Sequence, residues 1–111
     1  MSYNNSKTYS NLALSNTKDS VTTAKNKKLI SVAIYNPSNA AAFIQFFDAL
    51  AADVTVGTTT PEFVIGIPTV RELVALIGPA NFETGIVVAA TTTATGSSAP
   101  SAALQVALFY A

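Results

Sequence analysis

The chain has 111 residues, 50% of them hydrophobic, with six basic and six acidic residues that give a net charge of zero, and it has no His, Cys or Trp. Without Cys or His there is no disulfide framework, no thiolate zinc site and no Ser–His or Cys–His nucleophile pair, so we expect a non-enzymatic protein with no catalytic, cofactor-binding or metal-binding residues. Six basic residues are too few for a surface that follows nucleic-acid phosphates, and no apolar run reaches the ~18 residues that span a bilayer, so neither nucleic acid nor a membrane is an expected partner.

Positive charge is concentrated at the start of the chain. Residues 1–28 contain five Lys and one acidic residue, whereas residues 29–111 contain one Arg and five acidic residues. The first segment is also rich in Asn, Ser and Thr, and its few apolar residues cannot offset its ordering entropy. We therefore predict an extended N-terminal arm over residues 1–19 and a globular domain over residues 20–111. The arm either lies on a neighbouring acidic surface or is a frayed tail followed by an ordinary first strand.

Alternating apolar residues predict strands along the body of the chain. Ile30, Val32 and Ile34 occupy every second position between Lys28 and Asn36, which is the period of a strand. Residues 41–48, AAFIQFFD, follow a Pro-containing turn and are predicted to be the second strand of a hairpin, although their Ala content would also permit a helix. Alternation and apolar content predict three more strands, at residues 63–67, 85–91 and 104–110. Thr-, Gly- and Ser-rich loops separate these strands at residues 54–61 and 91–101.

One segment has the period of a helix. The apolar residues of 69–78, TVRELVALIG, lie at i, i+3, i+4 and i+7. Thr69 and Glu72 match a capping box, and Gly78 suits a helix end. The local pattern predicts a two-turn helix, although every neighbouring segment is a predicted strand.

Short strands separated by turn-rich loops indicate an all-β fold, an antiparallel β-sandwich of jelly-roll or Greek-key type. Two strands are apolar on both faces, so we expect surplus apolar surface that mediates self-association. Asp48 and Asp53 flank one loop and are the only hint of a calcium site, and Asp48 is better explained as a turn residue. The Thr runs 58–60 and 91–93 could contact a glycan, but strand edges and loops explain them better.

The order of the motifs resembles a known family. The run contains VAIYN, then AAFIQFFDA, then a Thr-Thr-Thr-Pro lead into FVIGIP, then NFETGIVVAATTT, and finally a strand that closes in FY. This is similar to small β-sandwich proteins encoded among the virion genes of tailed bacteriophages. The likeness runs from Lys28 to Tyr110 and does not cover residues 1–23. It implies that residues 69–77 form a strand rather than a helix, and the capping-box pattern is the departure from the family.

The resemblance implies a virion structural protein, most simply a capsid decoration or cement protein on the outside of the phage head. It implies a homo-oligomer, of which a trimer is the expected form, bound to the major capsid protein or another virion protein. The protein would be made in the cytoplasm of the host bacterium. The alternative is a tail or spike module that binds a host receptor or a glycan. Apolar and basic side chains are the expected partner contacts, and those predicted here are Tyr3, Lys7, Tyr9, Leu12, Leu14, Lys25, Lys27 and Lys28.

Overall fold

The computed structural model describes residues 6–111, apart from the side chain of Leu76. These described residues form eight strands and a 3-10 turn at Ala51–Asp53. The strands are β1 (Lys7–Leu14), β2 (Asp19–Thr22), β3 (Lys27–Asn36), β4 (Ala42–Phe47), β5 (Phe63–Ile67), β6 (Arg71–Phe82), β7 (Ile86–Thr91) and β8 (Leu104–Tyr110).

The strands form two four-stranded antiparallel sheets. The first sheet has the order β1-β8-β3-β6 and the second has the order β2-β7-β4-β5. The pairs β4–β5, β3–β6, β2–β7 and β1–β8 are nested, as if one long hairpin with its tip between β4 and β5 were wrapped into two layers. This is the order of a jelly roll, which contains two Greek keys. The predicted all-β antiparallel sandwich is confirmed.

Side chains from the inner faces of both sheets meet in one core. Val32 of β3 and Ile44 of β4 are almost fully buried in it, as are the inward residues of β7 and β8. The rings of Phe46 and Phe63 stack with their centroids 4.6 Å apart. Alternation along each strand supplies these inward residues, because successive side chains in a strand point to opposite faces.

The N-terminal segment differs from the predicted arm. Lys7–Leu14 is β1, and it pairs with β8 so that Tyr9 lies opposite Leu108. Asp19–Thr22 is β2, which pairs with β7 in the other sheet. The boundary predicted at residue 19 is therefore corrected: residues 7–14 belong to the sandwich, and residues 1–5 lie outside the described residues. Ordering this segment costs conformational entropy. Its pairing with β8 and the burial of Leu14 offset that cost, which the apolar residues of the segment could not offset by themselves.

Residues 71–82 form β6, so the helix predicted from the local pattern is wrong and the strand implied by the resemblance is correct. β6 pairs with β3 from Lys27 to Asn36. A two-turn helix is marginal in water, whereas the strand gains a long ladder and partial burial of Leu73. Val70 has a φ of 49° and Gly78 a φ of 93°, values that lie outside a right-handed helix.

Candidate interaction surface

The second sheet has its outer face covered by its own chain. The β4–β5 connection crosses this face and packs Val54 against Phe47, Val87 and Ala89 in a second buried cluster. Each of these four side chains is at most 1% exposed. Part of the surplus apolar surface expected from the sequence is therefore buried within the chain itself.

The first sheet has an outer face that the described chain leaves bare. We call it the open face and define it by the outward residues Leu12, Ala33, Tyr35, Val74, Ala107 and Phe109. Val74 is 76% exposed and Leu12 is 71% exposed. A depression of about 440 Å³ lies on this face, with Ala33 and Ala107 among its lining residues. Large exposed aliphatic side chains on one continuous face are typical of an interaction surface.

Asn36, at the end of β3, joins the β3–β4 turn to the end of β5. Its Nδ2 donates to the carbonyl oxygens of Ile67 and Pro68, at 3.0 and 3.2 Å. Its Oδ1 accepts from the backbone N–H of Ser38 at 3.0 Å. The side chain is fully buried, so it holds the β3–β4 turn against the end of β5 and presents nothing to a ligand.

Gln45, in the middle of β4, holds the β7–β8 loop on the outer face of the second sheet. Its Nε2 donates to Thr91 Oγ1 at 2.8 Å and to the carbonyl oxygen of Gly96 at 3.0 Å. Its Oε1 is buried and has no hydrogen-bond partner among the described residues. The loop therefore covers Gln45 as the β4–β5 connection covers Phe47.

Asp48, directly after β4, binds the β6–β7 turn. Its carboxylate accepts backbone N–H bonds from Glu83 at 3.0 Å, Thr84 at 2.8 Å and Gly85 at 3.4 Å. Slight burial raises the pKa of Asp48, but these three bonds outweigh it and hold the pKa below its ordinary value. Two motifs that carry the family resemblance, FIQFFDA and FETGI, thus meet here in a structural contact.

Tyr9 and Asp19 clasp the two sheets together at one edge of the sandwich. The Tyr9 hydroxyl donates to the Asp19 carboxylate, and Asn11 Nδ2 donates to the same carboxylate oxygen at 3.2 Å. Burial raises the pKa of Tyr9, and its bond to Asp19 raises it further. Tyr9 also packs against the core, which favours a structural role over that of a flexible anchor.

The predicted contact residues divide into exposed and buried sets. Tyr3 lies outside the described residues. Leu12 is exposed, but Leu14 is 1% exposed and belongs to the core, so its assignment as a contact anchor is corrected. It is buried because the bulge in β1 between Asn11 and Leu14 brings Leu14 opposite Leu104.

The predicted lysines lie at one end of the sandwich. Lys7 pairs with Tyr110, Lys27 and Lys28 begin β3, and Lys25 precedes them in the β2–β3 loop. Lys27 is half-buried and the other three are exposed. We call these four residues the basic end. The sequence did not show that Lys7 joins the other three, because its place depends on the pairing of β1 with β8.

No group of three or more His, Asp or Glu side chains that could hold a metal ion occurs within residues 6–111. In that same range, no helix is both long enough and apolar enough to cross a membrane. The polar side chains at 36, 45 and 48 are bonded to the chain itself, so the candidate surfaces are the open face and the basic end.

Comparison with known proteins gives one similar solved structure. No family model and no curated protein matches the chain. The coat protein of Tobacco streak virus is similar, with a TM-score of 0.45 and 12% sequence identity over 99% of this chain and 88% of that chain. A likeness at this identity and score assigns neither a function nor a site residue.

Proposed function

We propose that this chain is a structural protein of a virion that decorates the outside of a tailed-phage head and ties neighbouring shell subunits together. The observation that carries the proposal is the contrast between the two outer faces: the second sheet is covered by its own loops, and the first keeps large aliphatic side chains in water. A protein whose role is association needs such a face and needs no cleft with converging polar groups.

The fold and the motifs also support this proposal. Double-sheet jelly rolls are a recurrent architecture of viral capsid proteins, and of lectins as well. Two of the motifs that resemble those of tailed-phage virion proteins are joined by Asp48, whose carboxylate binds the β6–β7 turn. This contact stabilises the fold and supplies no catalytic group.

The two candidate surfaces suit two kinds of contact. The open face is apolar and suits contact with other copies of this chain. An assembly of copies carries several weak contacts to the shell at once, so its avidity exceeds the affinity of any single contact. The basic end suits an acidic surface on the shell, because opposite charges steer association and fix orientation. The assembly expected from the resemblance is a trimer, and the major capsid protein is the expected shell partner.

Binding to heads that lack this protein tests the proposal. We expect the protein to co-sediment with such heads and to raise the temperature at which they release DNA. The Lys7→Ser/Lys25→Ser variant should bind about tenfold more weakly at low salt, because two exposed charges that favour docking are lost. Arg71→Ser, which removes an exposed positive charge at the opposite end of the sandwich, is the control and should bind as the parent does.

Two outcomes would contradict the proposal. Failure to bind heads at any salt concentration would remove the decoration role. Binding to tails, to host cells or to a glycan instead would favour the alternative, a tail or spike module that recognises a receptor.

A further inference from the structure

The open face carries opposite charges at its two ends. Glu72 lies opposite Tyr35 at one end of the ladder between β3 and β6, and Lys28 lies opposite Asn81 towards the other end. Both charged side chains are exposed. Lys28 precedes the buried Leu29 and Tyr35 follows the buried Ile34, so alternation places Lys28 and Glu72 on the outer side of the sheet.

Small side chains form the middle of the open face. Ala33 lies between Ala107 and Val74 in register, and Ser10 lies beyond Ala107 on β1. Val74 and Leu12 project on either side of this small-residue row, and the depression lies between them. The middle of the open face is therefore shallow and neutral, and its larger aliphatic side chains lie on the two edge strands, β1 and β6.

We propose that the partner of the open face is a second copy of this chain, packed face to face about a two-fold axis that runs across the strands. This axis reverses the strand direction, so Lys28 of each copy lies near Glu72 of the other, and the neutral rows meet in the middle. A two-fold axis along the strands would instead place like charges together. The proposal deepens the proposed function, puts a dimer in place of the trimer that the resemblance implies, and rests on that function for the biological role of the dimer.

The size of the face sets the expected strength. Four strands spaced ~4.8 Å apart, with about seven residues each at ~3.3 Å rise, give a face of roughly 20 by 23 Å. Stable interfaces bury about 800 Å² on each partner, so this face alone supports a reversible dimer rather than a permanent one. Sheets packed face to face align within about 30° because of their twist, which is compatible with strands running in opposite directions.

Sedimentation over a wide concentration range tests this proposal. We expect a monomer–dimer equilibrium that Val74→Asp shifts about tenfold towards monomer, because it places a charge in the apolar middle of the contact. Val70→Asp is the matched control, since Val70 is also an exposed Val, 62% exposed, and lies before β6 in the β5–β6 turn. It should leave the equilibrium unchanged. Circular dichroism of both variants checks that the sandwich is folded.

A charge exchange tests the two-fold arrangement. Lys28→Glu and Glu72→Lys should each weaken the dimer by roughly three- to tenfold, because each creates two like-charge contacts. The Lys28→Glu/Glu72→Lys double variant should return to the parent value. A double variant as weak as the single variants would refute this arrangement.

The dimer and the proposed function can fail separately. A parent protein that stays monomeric at millimolar concentration, or one that forms trimers instead of dimers, overturns the dimer whether or not heads are bound. If Val74→Asp abolishes head binding without changing the mass in solution, the open face docks on the shell and the inference is wrong. A dimer that binds no heads leaves this inference standing and removes the decoration role.

Discussion

At the scale of single residues, the polar side chains of β4 and its flanks have structural tasks. Asn36 holds a turn, Gln45 holds the β7–β8 loop, and Asp48 holds the β6–β7 turn. Each exchanges hydrogen bonds to water for bonds to the backbone of a turn or loop, and so holds that segment in place. The long-range partners of these side chains are 31 to 51 positions away, so their roles could not be derived from local spacing.

Asp48 should make stability depend on acidity. Its pKa is lowered in the folded chain, so its contribution is present above the ordinary pKa of ~4 and is lost as the pH falls through the lowered value. We expect Asp48→Asn to lose about 1 kcal/mol at pH 7, because the bonds lose their charged acceptor. Urea unfolding measured from pH 7 to pH 2 should show the gap between variant and parent closing. Asp53→Asn, on the exposed 3-10 turn, is the control, and a gap that stays constant with pH would contradict the role of Asp48.

Replacement of Val70 by glycine should stabilise the fold. Its φ of 49° lies in the left-handed region, which costs a residue with a Cβ roughly 1–2 kcal/mol, more than glycine loses in backbone entropy. We expect Val70→Gly to stabilise the fold by about 0.5–1 kcal/mol and to raise the midpoint of thermal unfolding by a few degrees. Val64→Gly, within the extended strand β5, should destabilise it. Equal losses in both variants would show that Val70 carries no backbone strain.

At the scale of elements, the local sequence pattern predicts a strand correctly where the segment alternates by itself, and it fails where pairing with a distant strand determines the conformation. The strands at β3, β4, β5, β7 and β8 follow from alternation or from apolar runs. β6 has a helical pattern but becomes a strand, because β3 offers it a ladder from Arg71 to Phe82 that is interrupted only by a bulge at residues 77–79. β1 is polar enough to be taken for an arm, and it is ordered by pairing with β8, a strand that comes much later in the chain.

Two leucines of β1 test whether this segment is a strand or an arm. Leu14 is buried opposite Leu104, whereas Leu12 is exposed on the open face. We expect Leu14→Ala to lose about 2–4 kcal/mol of stability through the cavity that it leaves. Leu12→Ala should change stability by less than about 0.5 kcal/mol. Chemical unfolding at concentrations where the chain is monomeric measures both effects. If neither substitution changed stability, residues 7–14 would be an arm rather than a strand of the sandwich.

At the scale of the whole molecule, the sandwich is asymmetric. Both sheets have inner faces that share one core, but within residues 6–111 loops cover the outer face of the second sheet and leave that of the first exposed. The first sheet keeps its outer face in water, with a basic side chain at one end and an acidic one at the other. One side of the sandwich is therefore covered by its own chain, and the other is available for association. This difference is the reason for placing the second copy on the open face.

The sequence by itself determined the all-β class, most of the strands and the lack of His- and Cys-based chemistry, because alternation and composition are properties of neighbouring residues. Only the tertiary structure decided that residues 7–14 join the sandwich, that residues 71–82 are extended and that one outer face is bare. The physical reason is that burial belongs to pairs of segments: the β4–β5 connection hides Phe47, and nothing among the described residues does the same for Val74.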